Sequence, residues 1–343
     1  MSYKTGPRIV TEGIILAYDA ADTNSYAPND ELVTDANLLT QGDGNLRTAF
    51  RDNSSTTSIS IGPIVNGSKY QLLWNVTERR GTVSATMRIG FAPISESTNA
   101  NVLGFRKHVF TSNATGTLVF YPDAAGCDFD VDFASLRVYK DTVTDITGAN
   151  DCSLKNKTAY NTYDSGYFIL DGGNDYIENS SPNIGISGDL SATLSCWFND
   201  ARSTTSTAQA LFAYGNGPTA GDTIAIILQD LGFSAAYNGG NNTYSNTGIY
   251  SLNTWNNVAI TKTPGAANTT TRLYLNGVEQ TIASSSSITP NVTSRVIRIG
   301  RWTNEGQSLL FQGNVSSCQI YDRALTSAQI LQNYNATKGR YGL

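Results

Sequence analysis

Residues 273–278 read LYLNGV, and residues 311–343 end the chain as FQGNVSSCQIYDRALTSAQILQNYNATKGRYGL. The apolar positions of LYLNGV flank Asn276-Gly277. This dipeptide is a strong signal of a β-hairpin, because both residues tolerate the positive φ of a type I′ turn. Residues 295–300 (RVIRIG) alternate between two faces, as a strand with one buried face does. This end of the chain is therefore predicted to be mostly β.

One short helix is predicted to follow these strands. Thr326 and Gln329 have the spacing of a capping box, in which each side chain bonds the backbone N–H of the other residue. Ile330, Leu331 and Tyr334 then follow at the spacing of one helical face. We expect these three side chains to form the apolar face of the helix.

These segments resemble the laminin-G/concanavalin-A-like β-sandwich family, in the form that recurs among virion proteins of tailed phages. The run most specific for the phage form is residues 329–343. The resemblance implies an all-β, concanavalin-A-like jelly-roll sandwich with one short carboxyl-terminal helix. The residues that carry it are 273–278 (LYLNGV), 297–300 (IRIG), 311–315 (FQGNV), 319–325 (QIYDRAL) and 329–343 (QILQNYNATKGRYGL).

The family pattern is interrupted near the amino terminus. Residues 13–20 (GIILAYDA) resemble its opening strand, but the continuation returns only at residues 143–154 (VTDITGANDCSL). The intervening segment alternates as strands with one buried face, and its order is similar to a carbohydrate-binding-module-like jelly roll. We therefore predict a host sandwich of residues 1–30 and 141–343, with residues 31–140 inserted as a second β-sandwich.

Composition argues against several classes of protein. Only 15% of the 343 residues are charged, and the net charge is −5 at pH 7. Because binding to phosphates needs a basic stripe, nucleic acid is not an expected partner. The first apolar run is short and soon meets Asp19, so neither a signal peptide nor a membrane anchor is predicted, and no membrane partner is expected.

Catalytic motifs are not found in the sequence. Glycoside hydrolysis needs two carboxyl groups about 5–10 Å apart, and enzymes of the resembled family carry them as Glu-x-Asp-x-x-Glu on one strand. The glutamates of this chain are isolated. The single histidine, His108, has no nucleophile motif nearby and is expected at an exposed strand edge. We therefore expect that the protein is not an enzyme.

Aromatic side chains in polar loops are the candidate glycan-binding residues. Sugar rings stack on exposed aromatic faces, while amides and carboxylates bond the hydroxyls. The alternative is that these aromatics cover the edges of the sandwich or contact neighbouring subunits. The candidates are Tyr214, Asn216, Tyr237, Asn238, Tyr244 and Trp302.

No cofactor is expected to be required, but a structural calcium has candidate ligands. Asp132 occupies a position that resembles a jelly-roll calcium ligand, and Asp171 and Asp175 form an acidic turn. The glycines and Asn174 within that turn are also what a tight hairpin requires. Both interpretations of the turn stay open.

Cys196 and Cys318 share strand parity with core residues, so both are expected to point inward. A disulfide between them needs their strands to be neighbours. Buried free thiols are the alternative, which a reducing cytosol favours.

The resemblance implies a non-enzymatic structural protein displayed on the surface of a phage particle, as capsid decoration or a compact fibre or appendage. It would be made in the host cytoplasm without a signal peptide. Expected partners are other capsid or tail proteins, host surface glycans and further copies of the chain in a homo-oligomer. A tail receptor-binding lectin is the alternative, and a glycan depolymerase is less favoured.

Overall fold

A computed structural model gives the fold as two compact units. Residues 1–27 and 141–343 form the larger unit, and residues 28–140 form the smaller one, whose predicted start was residue 31. The residues described are 8–26, 32, 48–51, 59–79, 85–89, 92–93, 103–122, 128–148, 150–162, 166–215, 219–238, 240–292, 296–302 and 309–343.

The first strand of the larger unit is β1 (Ile14–Asp19), and the smaller unit follows it in the chain. The strands of the smaller unit are β2 (Thr48–Arg51), β3 (Ile59–Ile64), β4 (Lys69–Arg79), β5 (Ala85–Ile89), β6 (Ala92–Pro93), β7 (Gly104–Thr111), β8 (Gly116–Pro122) and β9 (Asp128–Val138). They form two antiparallel four-stranded sheets, in the orders β2-β9-β4-β7 and β3-β8-β5-β6. Leu72, Trp74 and Leu136 are fully buried in this unit.

His108 lies on β7, at the edge of its sheet, as predicted. The expected exposure is wrong, because the residue is 9% exposed. Its ring stacks on that of Phe110, with the ring centroids 5.3 Å apart. Packing against a neighbouring aromatic ring therefore covers this edge position.

The larger unit resumes after the smaller one and ends with a helix. Its further strands are β10 (Thr142–Val143), β11 (Cys152–Lys155), β12 (Ala159–Asn161), β13 (Tyr167–Asp171), β14 (Tyr176–Asn179), β15 (Ala192–Asp200), β16 (Gln209–Gly215), β17 (Thr223–Gln229), β18 (Gly232–Ala236), β19 (Asn242–Ser245), β20 (Trp255–Lys262), β21 (Thr271–Leu275), β22 (Val278–Glu279), β23 (Ile282–Ser285), β24 (Ile297–Ile299) and β25 (Gln312–Tyr321). Its helices are α1 (Ala267–Thr270), α2 (Ser327–Thr337) and a final 3₁₀ turn, Lys338–Tyr341. Among the described residues, no helix is long and apolar enough to cross a membrane.

Two antiparallel sheets make up the larger unit. The eight-stranded sheet has the order β12-β13-β25-β15-β20-β21-β22, with β1 also paired to β25. The nine-stranded sheet has the order β10-β11-β14-β24-β16-β17-β18-β19-β23. Leu16 of β1 lies opposite Ile320 of β25, and both side chains are fully buried. These two strands, from opposite ends of the chain, therefore share one hydrophobic interior.

The predicted hairpin is confirmed. Asn276 and Gly277 have φ angles of 50° and 81°, and Leu275 pairs with Val278 across the turn. Positive φ at both central residues is the mark of a type I′ turn, whose twist matches that of the strands it joins. The Asn276 side chain also accepts a hydrogen bond from the Asn257 N–H at 2.8 Å, which ties the turn to β20.

The capping box at Thr326 and Gln329 is present, but the predicted apolar face of α2 is partly wrong. Ile330 is buried, whereas Leu331 is 43% exposed. The face turned to the sheet includes Asn333 instead, whose amide donates to the Tyr321 hydroxyl at 3.0 Å. Asn333 is suited to this buried position because its hydrogen bond joins the helix to the sheet.

Candidate functional site

The nine-stranded sheet has an inner face, which turns toward the eight-stranded sheet, and an outer face. Tyr237 follows β18 and points inward, since its hydroxyl lies 2.5 Å from the Thr271 hydroxyl of β21. Side chains alternate along a strand, so its neighbour Ala236 projects outward. Residues opposite Ala236 on the neighbouring strands therefore belong to the outer face as well.

Small side chains form the centre of the outer face. Ala213 of β16 lies opposite Ala225 of β17, which lies opposite Ala236 of β18. Directly opposite residues of an antiparallel pair project to the same face, so these methyl groups are continuous, and Ala210 packs with them. We call these four residues the alanine floor. Short side chains at these positions leave space for a flat ring.

Trp302 lies on the alanine floor and also contacts Ile227. Its side chain is 4% exposed, and its indole N–H has no hydrogen-bond partner among the residues that the structure describes. Arg298 donates to the Trp302 carbonyl at 3.2 Å, which holds the backbone after β24 in place. The floor therefore carries one large ring with a polar edge.

A charged pair borders the alanine floor on one side. Arg298 lies between Ala213 and Glu178 in the sheet, on the same face as both. Its Nε donates to Glu178 Oε2 at 2.7 Å, and Lys155 Nζ lies 3.8 Å from the other carboxylate oxygen. The Arg298 and Glu178 side chains are only 6% and 11% exposed. Hydrogen bonding and low exposure keep this pair in a fixed orientation.

Exposed polar and aromatic groups border the floor on the other side. Tyr244 of β19 lies opposite Ser234 of β18, which lies opposite Ile227 of β17. The Tyr244 ring is 37% exposed, and its hydroxyl accepts a hydrogen bond from the Asn242 amide at 2.7 Å. Neighbouring strands lie about 4.8 Å apart, so the Tyr244 backbone is about 10 Å from that of Ile227. Two rings therefore occupy one sheet face, one over the floor and one beside it.

Of the predicted glycan-binding residues, Trp302 and Tyr244 share this face, while Tyr214 and Tyr237 do not. The predicted exposure of Tyr214, Tyr237 and Trp302 is wrong: the two tyrosines are fully buried in the core, and Trp302 is 4% exposed on the outer face. β16 continues to Gly215, so Tyr214 is a strand residue pointing inward, and it donates to the Ile186 carbonyl at 2.6 Å. Burial raises the pKa of the Tyr237 phenol well above its ordinary value, as expected for a core hydroxyl.

Asn238 is a turn residue rather than part of an open platform. Its φ is 58°, it is 9% exposed, and its amide donates to the Thr219 carbonyl at 3.0 Å. Asn216, the remaining candidate, lies outside the described residues. The structure therefore brings two of the six candidates, Trp302 and Tyr244, to one sheet face, and of these two only Tyr244 is exposed.

In the acidic turn of Asp171 and Asp175, the Asp171 carboxylate accepts hydrogen bonds from the backbone of the turn. Asp171 Oδ1 accepts from the backbone N–H groups of Gly173 at 2.8 Å and Asn174 at 3.2 Å, and Asp175 is fully buried. The turn joins β13 to β14, which belong to different sheets, so of the two interpretations left open the tight hairpin does not hold. Asp171 stabilises the crossing between the sheets through these bonds.

No described residues form a group of three or more His, Cys, Asp or Glu side chains that could hold a metal ion. Asp132 lies on β9, and its side chain is outside the described part of the chain.

Sequence reasoning missed the alanine floor and the Arg298–Glu178 pair. The floor needs alanines from three strands to be in register, and each alone is an unremarkable small residue. The charged pair joins residues 120 positions apart in the sequence. The one local signal was the outward parity of Arg298 in RVIRIG, which marks a polar residue on a strand whose other face is apolar.

Residues 171–331 match the Laminin_G_3 family model, described as the concanavalin A-like lectin/glucanases superfamily. With the two antiparallel sheets described above, this match identifies the fold as a concanavalin A-like β-sandwich. No curated protein matches the sequence significantly.

Several solved structures are similar to this chain. The Trypanosoma rangeli sialidase bound to the inhibitor DANA is 14% identical with a TM-score of 0.43, covering 58% of this chain and 31% of that chain. The binding domain of Paraclostridial Mosquitocidal Protein 1 is 19% identical with a TM-score of 0.45, covering 58% of this chain and 50% of that one. Domain 4 of AbnA, a GH43 extracellular arabinanase from Geobacillus stearothermophilus, in complex with arabinotriose, is 18% identical with a TM-score of 0.43, covering 56% and 92%. This chain spans half or less of the length of the first two proteins.

Proposed function

We propose that the chain is a non-enzymatic protein of a phage particle surface, as capsid decoration or a compact appendage, and that its larger unit binds host glycans. The observation that carries the glycan site is the shared outer face of Trp302 and Tyr244. One ring lies on the alanine floor and the other is exposed about two strand spacings away. A sugar ring would stack on the exposed Tyr244, while the neighbouring Asn242 side chain supplies polar contacts.

The fold and the chemistry of the outer face both support binding without catalysis. The concanavalin A-like sandwich is a fold of lectins as well as of glucanases, by the description of the matching family. Glycosidases need one carboxyl group free to act as an acid and a second about 5–10 Å away. Glu178 on this face is instead engaged by Arg298 at 2.7 Å and Lys155 at 3.8 Å. This arrangement favours recognition.

The placement on a virion is supported by the resemblance of residues 329–343 to the phage form of the family. In the structure, this run forms α2 and the final 3₁₀ turn. Trp197 donates through its indole N–H to Thr337 at 2.9 Å, and its ring stacks on Tyr341 with the centroids 4.2 Å apart. The segment with the phage-like sequence is thus an integral part of the sandwich.

Binding is tested on arrays of host surface polysaccharides with the wild type and two Tyr244 variants. We expect Tyr244→Ala to weaken binding about tenfold, which is about 1.4 kcal/mol, and Tyr244→Phe to retain most of it, because the ring remains. Val278→Ala is the matched control, since Val278 is 60% exposed on a strand of the other sheet. Equal binding by Tyr244→Ala and the wild type would place the glycan elsewhere, and no binding to any host glycan would refute the lectin role.

The same samples test for catalysis and for metal dependence. We expect no release of reducing ends from the bound polysaccharide, and release would establish the depolymerase instead. We also expect equal binding in calcium and in chelator, because we propose that no metal is required. A loss of binding in chelator would contradict this and direct attention to Asp132 and Asp171.

The position on the particle is tested by cryo-microscopy of intact virions. Many copies at capsid lattice points are expected for decoration, and would also show whether the chain forms a homo-oligomer there. A few copies at a tail or vertex would support the alternative of a receptor-binding lectin. Absence of the chain from purified particles would overturn the virion assignment while leaving the glycan test intact.

A further inference from the structure

Two cysteines face each other across the centre of the eight-stranded sheet. Cys196 of β15 lies directly opposite Cys318 of β25, and their Sγ atoms are 3.3 Å apart. Both are buried, at 0% and 1% exposure, and both are free thiols in the structure. The predicted inward orientation of both side chains is confirmed. Their strands are neighbours, which was the condition for a disulfide.

We propose that Cys196 and Cys318 are a cross-strand redox pair that closes to a disulfide in the presence of a low-molecular-weight disulfide such as oxidised glutathione. Opposite residues of antiparallel strands have Cα atoms about 4.5–5.5 Å apart. Disulfides span Cα distances of about 4.4–6.8 Å, so the backbone is already within range. Only side-chain rotation is needed to bring the sulfurs from 3.3 Å to a bond of about 2.05 Å.

The reaction is thiol–disulfide exchange in two steps. One cysteine thiolate attacks the small disulfide, forming a mixed disulfide and releasing one small thiolate. The second cysteine thiolate then attacks the protein sulfur of that mixed disulfide and releases the second small thiolate. Each released thiolate takes up one of the two protons that the cysteines lost. The two cysteines are oxidised, and one small disulfide is reduced to two thiols.

Burial controls when this exchange happens. Burial, followed by the neighbouring Cys196 thiol, raises the pKa of the Cys318 thiol well above its ordinary value. Thiolate is therefore scarce in the folded state, and no small disulfide reaches sulfurs covered by the sheet. We expect closure while the strands are still assembling, and slow closure once they have packed.

Cys152 supplies an internal control. It is also buried, but its thiol donates to the Tyr18 hydroxyl at 3.1 Å rather than facing another cysteine. Cys127 lies outside the described residues, so it is replaced by serine in every sample. In this background the proposal assigns oxidation to one pair of the three remaining thiols.

The test is refolding in oxidised and reduced glutathione, then unfolding, alkylation of free thiols and intact mass. The oxidised protein is expected to lose two hydrogens and to carry one alkyl group, and peptide mapping is expected to join residues 196 and 318. Cys318→Ala should abolish the cross-link, with Cys196→Ser as a second variant should Cys318→Ala fail to fold. Cys152→Ser should retain the cross-link.

The cross-link also has a measurable effect on stability. It joins residues 122 positions apart, and closing a loop of this size changes the unfolding equilibrium constant in favour of the folded state by up to about three thousandfold. We expect urea to unfold the oxidised protein at a higher concentration than the reduced one. Three alkylated thiols after oxidative refolding, or a disulfide that includes Cys152, would overturn the proposal.

Discussion

Arg202→Met is expected to destabilise the larger unit by about 3–5 kcal/mol, because it leaves a carboxylate buried without its cation. Asp200 at the end of β15 is 0% exposed at its side chain, and that of Arg202 is 2% exposed. The Arg202 Nη2 lies 2.7 Å from Asp200 Oδ2, and Nε donates to the same oxygen at 2.8 Å. Solvent does not screen a pair buried to this extent.

The rest of the network adds to the expected loss. Tyr250 donates to Asp200 Oδ2 at 2.8 Å and accepts from Arg202 Nη2 at 2.7 Å. Arg202 Nη1 also donates to the Thr207 carbonyl at 2.8 Å, which holds the loop before β16. Hydrogen bonds to charged groups contribute about 1.5–3 kcal/mol each, so the upper part of the range is expected.

The assay is urea unfolding followed by tryptophan fluorescence in a Trp74→Phe background, in which every remaining tryptophan belongs to the larger unit. The matched control is the double variant Asp200→Leu with Arg202→Met, which removes both charges and is expected to be far more stable than Arg202→Met alone. A buried pair replaced by apolar groups of similar size is often neutral. A loss under about 1 kcal/mol for Arg202→Met, or strictly additive losses in the double variant, would refute the reasoning.

Two further predictions concern a turn and a thiol. Gly277→Ala is expected to lower the melting temperature more than Gly248→Ala. Both glycines have positive φ, but only at position 277 would an added Cβ lie 3.0 Å from Leu331 Cδ1. Equal decreases in melting temperature would show that this contact does not matter. Burial raises the pKa of the Cys152 thiol from 9.0 to about 12, because the folded state favours the neutral thiol. The stabilisation that the neutral thiol provides is fully present below pH 9, and it is lost as the pH rises toward 12. Between pH 8 and pH 10 the wild type should therefore lose about 1.4 kcal/mol more than Cys152→Ser in urea unfolding, and parallel losses would contradict this.

Features set by neighbouring residues were predictable from the sequence. The turn at Asn276-Gly277 follows from two residues that accept positive φ, and the cap of α2 follows from Thr326 and Gln329. The prediction that residues from both ends of the chain form one sandwich came from a family resemblance, because no local rule pairs strands so distant in the sequence. Its direct evidence is the register of Leu16 with Ile320.

Errors arose where a side chain's surroundings depend on distant strands. Tyr214 and Tyr237 sit beside glycine and asparagine in the sequence, which suggested loops, but the ladder of hydrogen bonds extends β16 to Gly215 and turns Tyr214 inward. Leu331 lies at a helical spacing typical of a core residue, yet the sheet contacts α2 through Asn333 instead. Which of these side chains are exposed could therefore be known only from the pairing of strands in the folded structure.

The pairing of β1 with β25 sets the order in which the chain can assemble during synthesis. The Tyr321 hydroxyl at the end of β25 bonds the Val10 carbonyl, 311 positions earlier. Ribosomes add about 5–20 residues per second, so the opening strand waits on the order of 15–60 s for its partner to emerge. The smaller unit is complete long before then and has time to fold first. The larger sandwich is therefore the last part of the chain to be completed.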